Sequence, residues 1–277
     1  MKGCGDQMIK LLAIDIDGTL VDYNQSEVRP AVKDAIRRAR ELGTEVVLIS
    51  GRNYNSMKKY VYELDLHGFT LTINGGVVVE TDQERIVQES IIPSDLAEQI
   101  HAILSIDQVP HIIFSGLTLF VEPKYADHET VKYLLNERDN VFVVKDMREF
   151  VEKNKVNKFM AMAQNDKIAK IVERLEPISQ GVVNMERGLD NHVDIYPSKT
   201  SKGASLLYVA KQRGILKEEI MAIGDAETDI SMLVEAGVGV AMGNSLNTVC
   251  KHADFITKSV QEDGVAYAIQ TYIIKDR

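Results

Sequence analysis

No tryptophan occurs among the 277 residues, aromatic side chains make up 6%, and only two cysteines are present. So thin an aromatic complement offers no stacking platform for nucleobases. Cys4 and Cys250 lie far apart with no CxxC spacing. That pattern reads as free thiols in a reducing compartment rather than a metal knuckle. The six histidines are scattered, with no HExxH pair, so a histidine zinc site is not expected. Positive charge is also short, and the formal net charge is −9. General nucleic-acid binders neutralise phosphates with a basic surface, so the charge argues against that class. It does not argue against a small anion held by a few local cations or a metal. No stretch approaches the ~20 apolar residues of a membrane span. The opening MKGCGDQMIKLLAIDID lacks signal-peptide layout, because its apolar run, residues 9–14, is short and ends in acids. A cytoplasmic protein without nucleic-acid or membrane partners is expected. Internal repeats and low-complexity segments are likewise missing.

What is present organises into two styles. Residues 8–14 (MIKLLAI) form a nearly continuous apolar run, as a strand buried on both faces requires. Val32, Ile36, Ala39 and Leu42 recur at helical spacing between Pro30 and Gly43, predicting a helix over 26–43. EVVLIS (45–50) predicts a second strand, 54–64 a helix and LTIN (71–74) a third strand. Strand, helix, strand, helix, strand implies parallel pairing with crossovers. From about residue 77 hairpins alternate with helices: VVVE and RIVQES, HIIFS and LTLFVE around Ser115–Gly116, then FVVK, KFMAMA, VVNMER and HVDIY, the last pair around a turn at 188–191. Helices are expected at 94–104, 127–137 and 166–175 in this stretch. After Tyr196 the parallel style returns. The simplest organisation is a discontinuous α/β core, residues 1–80 plus 193–277, with an α+β module, 81–192, inserted in it.

Four polar pieces carry the chemistry. Asp15-Ile16-Asp17-Gly18-Thr19 directly follows the first strand. Alternation in extended chain turns residues 15 and 17 to one side, beyond a strand end, where open parallel sheets bind ligands. Two carboxylates that close together favour a cation or a shared proton. Ser50-Gly51-Arg52 ends the second strand, and a hydroxyl with free backbone N–H groups before a helix can hold a phosphate oxygen. Lys202 stands in the first turn of a predicted helix over 201–213, where the helix dipole disfavours a cation. That conflict hints at an anionic partner, with Lys199 as a competing candidate. Gly224-Asp225-Ala226-Glu227-Thr228-Asp229 follows another apolar strand. Its acids could cap a helix or complete a site for a hard cation such as magnesium. Each piece alone has an ordinary structural reading. Together they place Asp15, Asp17, Ser50, Lys202, Asp225 and Asp229 at one end of the sheet.

The DIDGT, SGR, SKG and GDAETD segments, in that order, resemble the four motifs of the haloacid dehalogenase superfamily of hydrolases. INGG (73–76), VDIYPSKTSKG, VAMGNS, ADFIT and EDGVAYAI resemble its Cof-type phosphatases, which carry a type IIB α+β cap between the second and third motifs. The resemblance covers nearly the whole core, and in the cap it rests on element order. It implies an α/β fold with a Rossmann-like parallel-sheet core. It implies Asp15 as nucleophile, forming an aspartyl-phosphate, and Asp17 as acid and then base. It implies a Mg2+ cofactor held by Asp15, the Asp17 carbonyl and Asp225, with Asp229 behind them. Ser50, Gly51 and Lys202, with Ile16 and Thr228, would hold phosphoryl oxygens, and the partner would be a small phosphorylated metabolite. One departure stands out: Thr228 occupies a place where the family pattern usually has asparagine. The resemblance also leaves room for a phosphosugar mutase, which shares the aspartyl-phosphate. A binding protein without turnover is the reading from another class, and the acids at 15, 17 and 225 with Lys202 speak against it.

Overall fold

The structure, a computed structural model, describes residues 8–23, 25–137, 139–187 and 191–274. The chain separates into two compact units. The first holds residues up to Gly51, Lys58–Arg85 and Ser201 onward, and the second holds Arg52–Met57 and Ile86–Thr200.

In chain order the elements begin with β1 (Leu11–Ile14), α1 (Pro30–Glu41), β2 (Glu45–Leu48), α2 (Tyr54–Glu63), β3 (Phe69–Thr72) and β4 (Val77–Glu80). The middle of the chain forms β5 (Arg85–Glu89), α3 (Ser94–Ile106), β6 (His111–Ser115), β7 (Thr118–Val121), α4 (Glu129–Asn136), β8 (Val141–Val143), α5 (Met147–Lys153), β9 (Lys158–Met162), α6 (Asn165–Ser179), β10 (Val183–Arg187) and β11 (His192–Pro197). Then come α7 (Lys202–Arg213), β12 (Ile220–Gly224), α8 (Ile230–Glu235), β13 (Val238–Ala241), α9 (Asn247–Cys250), β14 (Phe255–Ile256) and α10 (Gly264–Ile269).

The first unit is a parallel sheet in the order β14-β13-β12-β1-β2. All of β1 is buried, as its continuous apolar text requires of a central strand covered on both faces. Each such Leu or Ile contributes about 1.5–3 kcal/mol of burial. β3 joins at the far edge through a parallel bridge, Ile49 to Leu71. β1 pairs with β2 on one side and β12 on the other, so the strand order reverses at β1. A crevice at such a switch point is the expected ligand site of an open α/β sheet. α1 starts on Pro30, whose fixed φ suits a first turn, and buries Val32, Ala35, Ile36 and Ala39. α7 stops at Gly214 in the left-handed conformation.

The second unit is a six-stranded sheet in the order β10-β11-β9-β6-β7-β8. One face (Ile113, Phe159, Ala161, Val193, Ile195) shares a hydrophobic cluster with Ile100 of α3, Val151 of α5 and Ile171 of α6. His111 lies wholly buried in this unit. Its Nδ1–H donates to the Val109 carbonyl at 2.8 Å, leaving Nε2 to accept from His101 Nδ1 at 3.0 Å. Burial pushes His111 down to about 4.

Three local expectations differ. α5 lies where no helix is expected; it is capped by Asp146, which accepts from the Glu149 N–H at 2.9 Å. α6 runs past Pro177 to Ser179, although the proline gives up the N–H that would bond the Glu173 carbonyl. The third strand stops at Thr72, since Ile73, Asn74 and Gly75 turn to positive φ. The turn at 188–191 lies, apart from Asn191, outside the described residues. Among the described residues no helix is long and apolar enough to cross a membrane.

Candidate active site

Asp15 is the first residue past β1, and its N–H donates to Ile223 O at 3.0 Å, extending the β1–β12 ladder by one step. The chain then folds back on itself: Leu20 N–H reaches Asp15 O at 3.2 Å, Val21 N–H reaches Ile16 O at 3.0 Å, and Gly18 N–H reaches Val21 O at 2.8 Å. Gly18 makes this turn possible. Its φ is +83°, and a Cβ there would lie 2.3 Å from Asp225 Oδ2. The turn brings Thr19 Oγ1 to within 2.7 Å of Asp225 Oδ1 and the Tyr23 hydroxyl to within 2.9 Å of Asp225 Oδ2.

Lys202 sits at the buried start of α7, 3% exposed, behind the N-cap Ser201. Its Nζ donates to Asp15 Oδ1 at 2.6 Å and to Asp229 Oδ1 at 2.5 Å. Asp229, fully buried, spends its other oxygen on the backbone N–H groups of Asp225 and Ala226, both at 2.9 Å. One carboxylate thus fixes both the lysine and the strand end that carries Asp225. α7 can approach α8 this closely because position 203 is glycine: a Cβ there would lie 2.4 Å from Ser231 O.

Electrostatics follow from this crowding. Burial raises Asp15 well above the usual carboxylate range and Asp229 raises it further, while Lys202 pulls it down. Burial also raises Asp225, to about 6, against the hydrogen bond from Thr19. Burial alone would lower Lys202, but the charges of Asp15 and Asp229 outweigh it and hold the ammonium above its ordinary value. Three buried acids face one buried cation, so the ionised cluster is short of positive charge.

That shortage fits a hard divalent cation. Asp15, Asp225 and Asp229 offer oxygens that all lie within 4.8 Å of one another, the donor set such ions prefer. Both Asp229 oxygens already serve Lys202 and two N–H groups. Asp229 is the only one of the three with no exposed surface, while Asp15 and Asp225 keep a little, although Asp225 already accepts from Thr19 and Tyr23.

The remaining expected residues are placed as follows. Asp17 is half-buried just past β1, its backbone bridged to Val21, and lies outside the triad of close oxygens. Ile16 buries its side chain, and its carbonyl receives the Val21 N–H. Ser50 is buried at the end of the neighbouring strand, and Gly51 lies against the Asn74 carboxamide. Thr228 is half-buried in the short 3-10 turn Glu227–Asp229. Lys199 is exposed, so of the two lysines only Lys202 joins the acids. Thr19, Tyr23 and Asn244 carry no role in the motif reading. Asn244 Nδ2 donates to Gly18 O at 2.9 Å and lies 3.5 Å from Asp225 Oδ2. Thr19 was within reach, as the last letter of DIDGT. No signal marks Tyr23.

The sequence profile of the haloacid dehalogenase-like hydrolases matches residues 12–269, and the chain belongs to that family, in its Cof-type branch. It is 30% identical over 277 residues to the 5-amino-6-(5-phospho-D-ribitylamino)uracil phosphatase YcsE of Bacillus subtilis, covering 97% of this chain and 98% of that one. It is 27% identical over 265 residues to YitU of the same organism, which carries the same phosphatase name, covering 95% and 97%. Among solved structures, a haloacid dehalogenase-like hydrolase from Bacteroides thetaiotaomicron superposes with a TM-score of 0.85 at 28% identity, covering 95% of this chain and 98% of that one.

Proposed function

We propose that this hydrolase is a magnesium-dependent phosphatase that cleaves small phosphomonoesters through an aspartyl-phosphate on Asp15. The observation that carries the proposal is the buried Lys202, bridging Asp15 and Asp229 at 2.6 and 2.5 Å. A carboxylate in a low-dielectric site tends to protonate and lose its nucleophilicity. An ammonium fixed beside it favours the ionised form and stands ready for a phosphoryl oxygen.

In this reading an Asp15 oxygen bonds to phosphorus as the ester P–O bond breaks, and the protonated Asp17 carboxyl gives its proton to the departing alkoxide. Asp17, now a carboxylate, takes a proton from a water whose oxygen attacks phosphorus, and the bond to Asp15 breaks to release phosphate. Splitting the displacement into two steps is the gain from covalent catalysis, and one carboxyl serves as acid and then base. Lys202, the Ser50 and Thr228 hydroxyls, and the backbone at Ile16 and Gly51 receive the phosphoryl oxygens, whose charge is the main burden of phosphoryl transfer. Mg2+, held by Asp15, the Asp17 carbonyl and Asp225 with Asp229 behind, would supply Lewis-acid neutralisation of that charge.

The second unit, as the inserted cap, selects the leaving group. Relatives named for a phosphorylated ribityl compound support sugar- or polyol-like monoesters as the class to screen. A cytoplasmic location accords with the free Cys250 thiol. The test is phosphate release from an aryl phosphate with and without Mg2+, wild type against Asp15→Asn. Magnesium-dependent release abolished by the substitution is expected. Equal release from both proteins ends the proposal.

A further inference from the structure

Asn74 takes no part in the chemistry above, yet it occupies a costly piece of backbone. Ile73, Asn74 and Gly75 have φ of 54°, 53° and 85° in succession. A β-branched residue there is a steric outlier, and such strain persists only where surrounding structure over-determines it. The determinants lie on two sides. On one, Asn74 N–H donates to Ser50 O at 2.9 Å, and its carboxamide lies against Gly51, where a Cβ would sit 3.1 Å from Asn74 Oδ1. On the other, Gly75 is pressed onto the start of α7, where a Cβ would lie 2.4 Å from Ser205 Oγ and 2.6 Å from Ser201 O. Ser205 Oγ in turn donates to Lys202 O at 3.0 Å. A single strained turn therefore touches both the Ser50–Gly51 backbone and the helix start that carries Lys202. Chain reversal from β3 to β4 does not demand this, because turns with glycine at the left-handed positions achieve it without strain.

We propose that Asn74 is a positioning residue for the tetrahedral oxyanion: its neutral carboxamide, held against Gly51 by the left-handed turn, keeps the Ser50–Gly51 backbone shaped to receive a phosphoryl group beside Lys202. This rests on the phosphoryl-binding role given to Ser50, Gly51 and Lys202 above.

Two variants test it. Asn74→Gly suits the left-handed backbone and removes the carboxamide. Asn74→Asp keeps the shape and tolerates the same φ, but sets a negative charge beside the anion. Inorganic phosphate binding by calorimetry in Mg2+, KM and kcat for an aryl phosphate, and melting temperature are measured for each. The glycine variant is expected to weaken phosphate binding and raise KM by ~10-fold, with kcat and melting temperature changing little. The aspartate variant is expected to bind phosphate more weakly still. A turn of purely structural value predicts the reverse: aspartate rescues, and any loss follows the melting temperature. Wild-type phosphate affinity in both variants overturns the inference. Wild type that binds phosphate but hydrolyses nothing overturns the enzymatic reading while leaving the binding comparison decisive. Wild type that binds no phosphate overturns both.

Discussion

Replacing Lys202 by methionine keeps a long apolar stem and deletes the charge that Asp15 and Asp229 share. At an effective dielectric of about 20, each of the two contacts carries roughly 6 kcal/mol of gross attraction. Desolvation of three buried ions cancels most of this. Breaking such a network from one side still costs about 3–5 kcal/mol, because the carboxylates left behind remain buried and unpaired. At roughly 2–4 °C per kcal/mol, the cation-free protein should melt about 6–20 °C lower. Magnesium should then raise the melting temperature of Lys202→Met more than that of wild type, since a divalent ion restores the missing charge to a pair of acids. Turnover of an aryl phosphate should fall by about 10²–10³, the usual cost of one preorganised charge-stabilising donor. Differential scanning calorimetry in chelator and in Mg2+, with phosphate release alongside, reads all three. Turnover within about tenfold of wild type together with an unchanged melting temperature would refute the claim that this lysine holds the site together.

Gly18→Ala places a methyl 2.3 Å from Asp225 Oδ2 at φ +83°, so magnesium affinity by calorimetry should drop at least ~10-fold through the displaced carboxylate. Thr228→Asn restores the longer side chain usual in the family and should change KM for phosphate esters; unchanged KM and kcat would make the position unimportant. In the second unit, His111 titrates near 4 when folded but near 6.5 when unfolded, so between those values the unfolded state binds more protons. Stability should be complete above pH ~6.5 and fall by about 3 kcal/mol as pH drops toward 4, and urea unfolding of His111→Gln should show a flatter pH slope than wild type.

The site's outline is legible in sequence because its parts are local. An apolar run ending in Asp15 and Asp17 announces a buried strand and what stands beyond it. The misfit of a lysine at a helix start singles out Lys202, although only the structure separates it from Lys199. Other features arise from pairings that no local pattern encodes. Tyr23 reaches Asp225 only because Gly18 lets the chain double back. Strand register turns His111 inward onto His101, and nothing in the local HIIFS text separates that from an outward face. Asp146 and Glu149 around α5 form a capping signal, but the helix is too short to declare itself by periodicity. The left-handed Ile73 contradicts its own propensity, so only tertiary packing could reveal it.

β1 takes one neighbour from nearby in the sequence and the other from far along it. β2 follows after α1 alone, whereas β12 arrives after the whole second unit, and Thr19 and Asp225 stand 206 positions apart. A ribosome that has made the first two hundred residues has therefore delivered Asp15 without Lys202 and β1 as an unprotected apolar edge. The second unit, nearly all contiguous from Ile86 to Thr200, can close first. The order of synthesis thus lets a nearly contiguous unit form while the core still waits for β12.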